Sequence, residues 1–261
     1  MLTPVLRGAR AATVFLTRLP AGGHPFTAAE MAWAPVWFPA IGGAIGVVLA
    51  GLWLLAAQLG HVPAAAIVYT ASLLLTGALH EDGLADTADA LGGGQDRTRV
   101  LEILKDSRVG SFGALALIAS FTLRIVLLAE VHRAAPLALI LSQLLARLPP
   151  VWLLATLPYI TPRTTSKSAA VTRVTRPRAA LASVPPAIVL AALAASQELH
   201  AVTALTALAS LGALTIAAGA LFRARAGGLT GDFLGATEQA SEAVILMILL
   251  AATSSVATEP A

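Results

Sequence analysis

Long apolar segments dominate this chain, and they constrain its fold more than any other feature of the sequence. Hydrophobic residues make up 57% of the 261 residues and charged residues 12%, against about 25% charged in a soluble domain. A segment inside lipid must satisfy its own backbone polar groups, which selects helices. The sequence therefore predicts an all-α, polytopic integral membrane helical bundle. About seven transmembrane helices are expected, at roughly 32–57, 62–79, 113–131, 135–157, 181–196, 201–221 and 237–254.

The distribution of basic residues predicts the orientation of this bundle. With the N-terminus on the cytoplasmic side, nearly all Lys and Arg residues fall in cytoplasmic segments, and Arg133 lies in an outer loop. We therefore expect a single membrane-embedded catalytic domain, 1–261, in the cell (inner) membrane. Its active site would face the cytoplasm, with the acidic motif and amphipathic helix of 80–110 and the basic loop of 158–180 on that side. The segment 181–196 is short, so a count of six or eight spans stays open.

An acidic stretch between two apolar segments is the strongest sign of chemistry. Seven of the fourteen acidic residues fall within 81–106. Read as a helix, Asp82, Asp86 and Asp89 lie within about 60° of one another, with no basic residue in the row. Divalent cations bound through oxygen would relieve their repulsion, and Mg²⁺ is the usual ion beside phosphates. The stretch predicts a metal site, with Glu81 and Asp106 in outer or second-metal roles; a solvated acidic helix end is the alternative.

A second cluster lies near the C-terminus, where 222–236 is expected to be a Gly-rich loop. If a helix begins near Thr230, then Asp232, Gly235 and Glu242 share one face of it. Glycines at a helix N-terminus suit close approach of a phosphate. A carboxylate at membrane depth, such as Glu242, is usually functional. The alternative is a Gly-rich turn with a buried, paired acid.

The sequence gives weaker indications of function for several other residues. Arg124 and Arg147 lie inside predicted spans and are expected either to pair with acids or to grip a phosphate. His80 borders the acidic motif, and a lone histidine there is more often neither base nor ligand. A short amphipathic helix is expected at about 96–107 and another within 4–19.

Together these features predict a membrane-embedded acidic pocket equipped for phosphoryl or phosphodiester transfer. The sequence contains no cysteine, no P-loop, no HExxH motif and no recognisable nucleic-acid module. A transporter that relays cations or protons through a cluster of acids is the main competing class. It would place the acids near mid-membrane, whereas here they gather at one rim. A scaffold for other enzymes would need no aspartate row.

The motifs also support a family assignment. The stretch His80-Glu81-Asp82-Gly83-Leu84-Ala85-Asp86-Thr87-Ala88-Asp89, together with 104–111, closely resembles the signature of cobalamin synthases, the adenosylcobinamide-GDP ribazoletransferases. The stretches 15–20, 38–42 and 230–236 are similar to further characteristic segments of that family, in the same order. The resemblance covers nearly the whole chain. One departure is Ala90, where the family often has glycine.

The resemblance implies a Mg²⁺-dependent membrane enzyme. It would join adenosylcobinamide-GDP to α-ribazole or its 5′-phosphate and release GMP, with Asp89 or Asp106 accepting the proton. Its partners would be these substrates and the lipid bilayer, with no nucleic acid; a homo-oligomer or contact with other cobalamin-pathway enzymes stays open. With the residue patterns above, it implies catalytic residues Asp82, Asp86, Asp89 and Asp106; substrate-binding residues Gly231, Asp232, Gly235, Arg108 and Arg147; and metal ligands Asp82, Asp86, Asp89, Glu81, Asp232 and Glu242.

Overall fold

The computed structural model describes residues 3–23, 25–160 and 174–256, and every regular element in those ranges is a helix. The first half holds α1 (Pro4–Leu16), α2 (Ala28–Met31), α3 (Ala34–Ala56), α4 (His61–Thr76), α5 (Leu79–Gly93), α6 (Arg97–Ile103) and α7 (Ser111–Glu130). The second half holds α8 (Ala135–Leu145), α9 (Leu148–Thr156), α10 (Arg176–Ala182), α11 (Val184–Ala195), α12 (Ala201–Ala226) and α13 (Gly231–Val256).

The helix lengths confirm a polytopic membrane bundle. Six stretches are long and apolar enough to cross a membrane: Ala34–Leu59, Ser111–Glu130, His132–Thr156, Arg176–Ala195, Ala201–Ala226 and Gly231–Thr253. The bent pair α4–α5 makes up to seven. The expected short span at 181–196 begins earlier, at Arg176, because α10 and α11 together form it. Within the span His132–Thr156, 83% of the most apolar window is buried, so α8 and α9 lie at the centre of the bundle.

The second predicted span, 62–79, ends just before the acidic motif, which predicts one continuous helix; that continuity was wrong. The chain bends by 92° between α4 and α5. Gly77 and Ala78 form the bend with φ angles of 68° and 57°, both left-handed. The Arg18 side chain packs against Gly77 where a Cβ would lie, and the Arg18 N–H donates to the Leu75 carbonyl at 2.8 Å. The acidic helix is therefore a separate element whose direction is set by this bend.

The bend gives a stability prediction, because Ala78 is an alanine in a conformation that glycine adopts freely. Alanine in the left-handed region costs about 1–2 kcal/mol, and Ala78→Gly would remove that cost. The greater conformational entropy of glycine in the unfolded chain would offset about 0.5–1 kcal/mol of the gain. We expect Ala78→Gly to stabilise the protein by about 0.5–1 kcal/mol in thermal unfolding in detergent. The control is Ala209→Gly in the middle of α12, which should destabilise by about 1 kcal/mol. Destabilisation by both variants would contradict this account of the bend.

The predicted Gly-rich loop at 222–236 was also wrong, since most of it is helical. α12 continues to Ala226 and α13 begins at Gly231, which leaves a connection of four residues, 227–230. The Thr230 hydroxyl accepts a hydrogen bond from the Phe233 N–H at 3.3 Å, so Thr230 caps α13 as its position predicted. The Leu229 backbone pairs with the segment after α9: its N–H donates to Pro158 and its carbonyl accepts from Ile160.

The smaller predicted elements are present with adjusted ends. The amphipathic helix expected at 96–107 is α6, and the one within 4–19 is α1. Thr27 and Glu30 form the reciprocal cap that their spacing predicts. In the predicted basic loop, Arg163, Lys167 and Arg173 lie outside the described residues. At its end, Arg178 donates to the Ala32 carbonyl at 3.1 Å and lies 4.4 Å from the Trp33 ring.

Glycines allow the central helices to approach closely. A Cβ on Gly46 of α3 would lie 2.7 Å from the Ile140 Cα of α8, so only glycine fits at this crossing. A Cβ on Gly83 of α5 would lie 2.8 Å from the Asp232 carbonyl oxygen and 3.2 Å from the Gly235 Cα of α13. This second crossing brings the two motifs of the sequence together.

Candidate active site

The crossing of α5 and α13 assembles an acidic rim, which we define as Asp82, Asp86 and Asp232. Asp82 is exposed, and Asp86 and Asp232 are half-buried. The Asp86 carboxylate lies close enough to feel the charges of Asp82, Asp232 and Asp89. Among the residues that the structure describes, no Lys, Arg or His forms an ion pair with a rim carboxylate. The rim is thus a site of uncompensated negative charge beside a pocket.

The acidic rim fits Mg²⁺ by the chemistry of its donors. Carboxylate oxygens are hard ligands, and Mg²⁺ is commonly held by one or two of them while it keeps several waters. In the described parts of the chain, no three acidic or histidine side chains are close enough together to hold a metal ion by themselves. The rim therefore offers ligands for an ion that also binds water and a phosphate, rather than a closed protein cage.

Asp89 was predicted to belong to the same row, but its carboxylate binds backbone amides instead. Its two carboxylate oxygens accept backbone N–H bonds from Gly110 at 2.7 Å and from Gly113 at 2.8 Å. A Cβ on Gly110 would lie 2.5 Å from Asp89 Oδ1, so glycine is needed for this contact. Asp89 therefore caps the N-terminus of α7 and ties the loop before it to α5. Sequence reasoning missed this role; its role as a metal ligand stays a prediction.

This contact predicts a stability difference along the acidic row. Asp89→Ala leaves the N–H groups of Gly110 and Gly113 without their charged acceptor, so we expect a loss of about 3 kcal/mol. Asp89→Asn keeps one acceptor oxygen and should lose less. Asp82→Ala, which removes an exposed carboxylate, should change the free energy of unfolding by less than about 0.5 kcal/mol. Equal losses for Asp89→Ala and Asp82→Ala in thermal unfolding would rule out the capping role.

Asp106 and Arg108 pair with each other rather than with the rim. Arg108 Nη2 lies 2.6 Å from Asp106 Oδ2, and both side chains are exposed. The hydrogen bonds from Arg108 hold the pKa of Asp106 at about 2, well below its ordinary value. Neither residue lines the pocket described below. Their predicted roles in catalysis and substrate binding therefore gain no support from their positions.

Glu81 and Glu242, both predicted as metal ligands, belong to a buried ion network. Arg124 Nη1 lies 2.9 Å from Glu242 Oε2 and 3.7 Å from Glu81 Oε1. Gln143 donates to the other oxygen of Glu242 at 2.8 Å. The Arg124 guanidinium also lies 5.0 Å from the centre of the Tyr69 ring. Glu242 is thus a buried acid with its own cation, which is the alternative that the sequence left open.

The second intramembrane arginine extends this network to the pocket. Arg147 Nη1 lies 3.2 Å from Glu238 Oε1 and donates to the Gln143 carbonyl. Glu238 Oε2 lies 3.6 Å from His80 Nδ1, and Gln239 donates to the same oxygen at 3.0 Å. The side chains of His80, Arg147 and Glu238 are nearly fully buried within the protein. The Glu238 carboxylate is thus the nearest acidic neighbour of the imidazole, at a distance longer than a hydrogen bond.

A pocket of about 90 Å³ joins the rim to this network. Among the predicted residues it is lined by Asp82, Arg147, Gly231, Asp232 and Gly235; it is also lined by His80, Glu238, Leu79, Leu234, Pro150 and Leu154, and by Phe15, Leu16 and Phe38. The N-terminus of α13 opens onto it. The pocket therefore combines an acidic rim, a helix N-terminus and a histidine with a carboxylate partner.

Sequence reasoning weighed His80 as a base or ligand but favoured neither role, and it gave Glu238 no role. A signal for them existed, since His80 opens the acidic motif and Glu238 follows the glycine-rich stretch by three residues. Their contact depends on the close approach of α13 to the start of α5, where a Cβ on Gly235 would lie 3.1 Å from the His80 carbonyl oxygen. Helical spacing within either segment does not predict that contact.

Comparisons with known proteins match this chain to one family and to relatives that share one name. Residues 8–250 match the family model described as cobalamin-5-phosphate synthase. The adenosylcobinamide-GDP ribazoletransferase of Bradyrhizobium diazoefficiens is 37% identical over 257 residues, covering 95% of this chain and 94% of the relative. Those of Azorhizobium caulinodans and Shewanella piezotolerans are 39% and 38% identical; they cover 94% and 90% of this chain, and 96% and 92% of their own lengths. No solved structure matches.

Proposed function

Because this chain belongs to the cobalamin-5-phosphate synthase family, we propose that it catalyses the transfer carried out by an adenosylcobinamide-GDP ribazoletransferase. It would transfer the phosphocobinamide part of adenosylcobinamide-GDP to α-ribazole, or to its 5′-phosphate. The products would be GMP and adenosylcobalamin or its 5′-phosphate. The observation that carries the proposal is the convergence of Asp82, Asp232, the α13 N-terminus and His80 on one pocket.

Asp82, Asp86 and Asp232 are the residues that would hold Mg²⁺. When bound, the ion would supply charge neutralisation for the pyrophosphate and for the departing phosphate. These three carboxylates have no cationic partner among the described side chains, so they are free to serve this purpose. Glu81 and Glu242 are less suited to it, since Arg124 forms an ion pair with Glu242 and lies 3.7 Å from Glu81.

The N-terminus of α13 is suited to the pyrophosphate. The positive end of the helix dipole favours an anion there, although Thr230 already accepts the Phe233 N–H of the first turn. Gly231 and Gly235 leave the backbone accessible along the pocket. Arg147 contributes less directly, because its charge is shared with Glu238; it positions that carboxylate. Together these groups would orient the phosphate attached to cobinamide for in-line attack.

The proton of the attacking hydroxyl needs an acceptor inside the pocket. A ribose hydroxyl of α-ribazole other than the 5′-hydroxyl, which carries the phosphate in the alternative acceptor, forms a bond to the phosphorus attached to cobinamide; the P–O bond to GMP breaks, and GMP leaves with the bridging oxygen. His80 lines the pocket with Glu238 at its Nδ1, which leaves Nε2 to accept the hydroxyl proton. This assignment replaces Asp89 and Asp106, whose carboxylates are engaged by backbone amides and by Arg108.

The orientation in the membrane follows from charge. Arg18, Arg108, Arg178 and Arg225 lie at the same ends of the predicted spans as the acidic rim, and such segments face the cytoplasm by the positive-inside rule. We propose a multi-pass protein of the inner membrane whose pocket receives its substrates from the cytoplasm.

The test uses purified full-length protein in liposomes, supplied with adenosylcobinamide-GDP and α-ribazole. Liquid chromatography with mass detection should show adenosylcobalamin and GMP forming in equal amounts, and neither without α-ribazole. Failure to form either product from folded protein would reject the proposal. Proton or cation flux across the same liposomes would then favour the transporter class.

A further inference from the structure

A groove on the periphery of the bundle lies between α9, α11 and α12, away from the pocket. Its volume is about 660 Å³, and its walls include Leu153, Pro186, Leu211 and Ile216. It shares no lining residue with the pocket: α9 lines the pocket with Pro150 and Leu154 and the groove with other residues. The groove is therefore a second site rather than an extension of the first.

The groove is open because the peripheral spans pack loosely and carry small residues along it. In the spans Arg176–Ala195 and Ala201–Ala226, 22% of the most apolar window is buried. Gly212 lines the groove, and a Cβ placed on it would meet nothing within 4 Å. An empty space of this size would forfeit dispersion contacts, and apolar walls do not hold water. Within a bilayer, an apolar chain fills such a space.

The polar groups of the groove indicate which head group the molecule carrying that apolar chain would have. The hydroxyls of Thr156 and Thr215 donate to carbonyls of their own helices, and Trp152 Nε1 donates to Ser183 Oγ at 3.2 Å. Arg223 also lines the groove and is exposed, and its guanidinium makes no hydrogen bond or ion pair with any described residue. The groove thus presents a cation at one end and apolar walls along the rest.

The dimensions fit a lipid. From Leu208 to Arg223 the groove follows α12 for about 22 Å at 1.5 Å per residue, which exceeds the roughly 15 Å hydrocarbon depth of one leaflet. Arg223 lies in the last turn of α12, near the end of the span Ala201–Ala226. We propose that the groove is a binding site for one anionic phospholipid, with an acyl chain between α9, α11 and α12 and its phosphate on Arg223.

The test measures lipid retention, so it does not depend on the proposed activity. Protein in detergent is titrated with phosphatidylglycerol. The lipid molecules that stay bound after the detergent is removed in the gas phase are counted by native mass spectrometry. We expect Arg223→Ala to weaken binding about fivefold. Gly212→Phe should fill the groove and weaken binding about tenfold or more. Ile216→Trp is a second filling variant, in case Gly212→Phe does not fold.

Two matched controls separate the groove from the general surface. Gly51 is an exposed glycine on α3 whose added Cβ would also meet nothing within 4 Å, so Gly51→Phe places the same side chain outside the groove. Arg10→Ala removes an exposed arginine from α1. Both should bind lipid as the unaltered protein does. Unchanged binding in folded Gly212→Phe or Ile216→Trp, or equal losses in the controls, would overturn the proposal.

Discussion

Asp82→Asn is expected to lower the rate of GMP formation by about a hundredfold to a thousandfold while the protein still folds and inserts in membrane. The exposed Asp82 carboxylate lines the pocket beside Asp232 and has no cationic partner among the described residues. Asparagine has the same shape but no charge, so it would weaken cation binding where transition-state charge develops. The measurement is GMP release by the variant in liposomes at saturating substrate.

Asp96→Asn is the matched control. Asp96 belongs to the same acidic segment, 81–106, but its carboxylate caps α6 by accepting the Arg99 N–H at 2.9 Å, and it does not line the pocket. Asparagine caps helices equally well, so activity should stay within about twofold of the unaltered protein. Normal turnover by Asp82→Asn, or the same loss in Asp96→Asn, would remove Asp82 from the site.

Arg124→Met is expected to destabilise the protein by about 3–5 kcal/mol. Arg124 is 2% exposed and is the cation shared by Glu242 and Glu81, so its removal leaves two buried carboxylates unpaired. Breaking one side of a buried ion pair costs about this much, because the remaining charge stays in a low-dielectric interior. Thermal unfolding in detergent, followed by circular dichroism, gives the change.

The double variant Arg124→Met, Glu242→Gln identifies the origin of that loss. With the charge of Glu242 removed as well, the penalty should fall by about 2 kcal/mol or more, although Glu81 still lacks its partner. The single variant Glu242→Gln leaves Arg124 close to Glu81 and should cost less than Arg124→Met. Additive losses in the double variant would mean that Arg124 and Glu242 do not form the pair seen in the structure.

The fold was largely predictable from the sequence, because span length and charge asymmetry depend on local composition. The bend at Gly77 and Ala78 was not predictable in the same way. Its left-handed geometry includes an alanine, which gives no sequence signal, and Arg18 supports it from the connection after α1, far away in the sequence. The same limit applies to the loop at 222–236, whose glycines suggested irregular backbone although the flanking helices continue through most of it.

The candidate site was predictable in part. Helical spacing placed Asp82 and Asp86 on one face, and the family motifs added Asp232 and Gly235, all of which meet where α5 crosses α13. Helical spacing could not distinguish Asp89 from Asp82 and Asp86, because the partners of Asp89 are backbone amides 21 and 24 residues away. The pairing of Glu242 with Arg124, 118 residues apart, likewise depends on tertiary packing.

The central claim is that the acidic rim binds Mg²⁺ for transfer to α-ribazole. The most direct measurement is GMP release from adenosylcobinamide-GDP and α-ribazole by the purified protein in liposomes, before EDTA, after EDTA, and after Mg²⁺ is restored. We predict GMP formation that EDTA abolishes, that Mg²⁺ restores in the unaltered protein, and that excess Mg²⁺ does not restore in Asp82→Asn. GMP formation that continues at full rate in EDTA would contradict the claim.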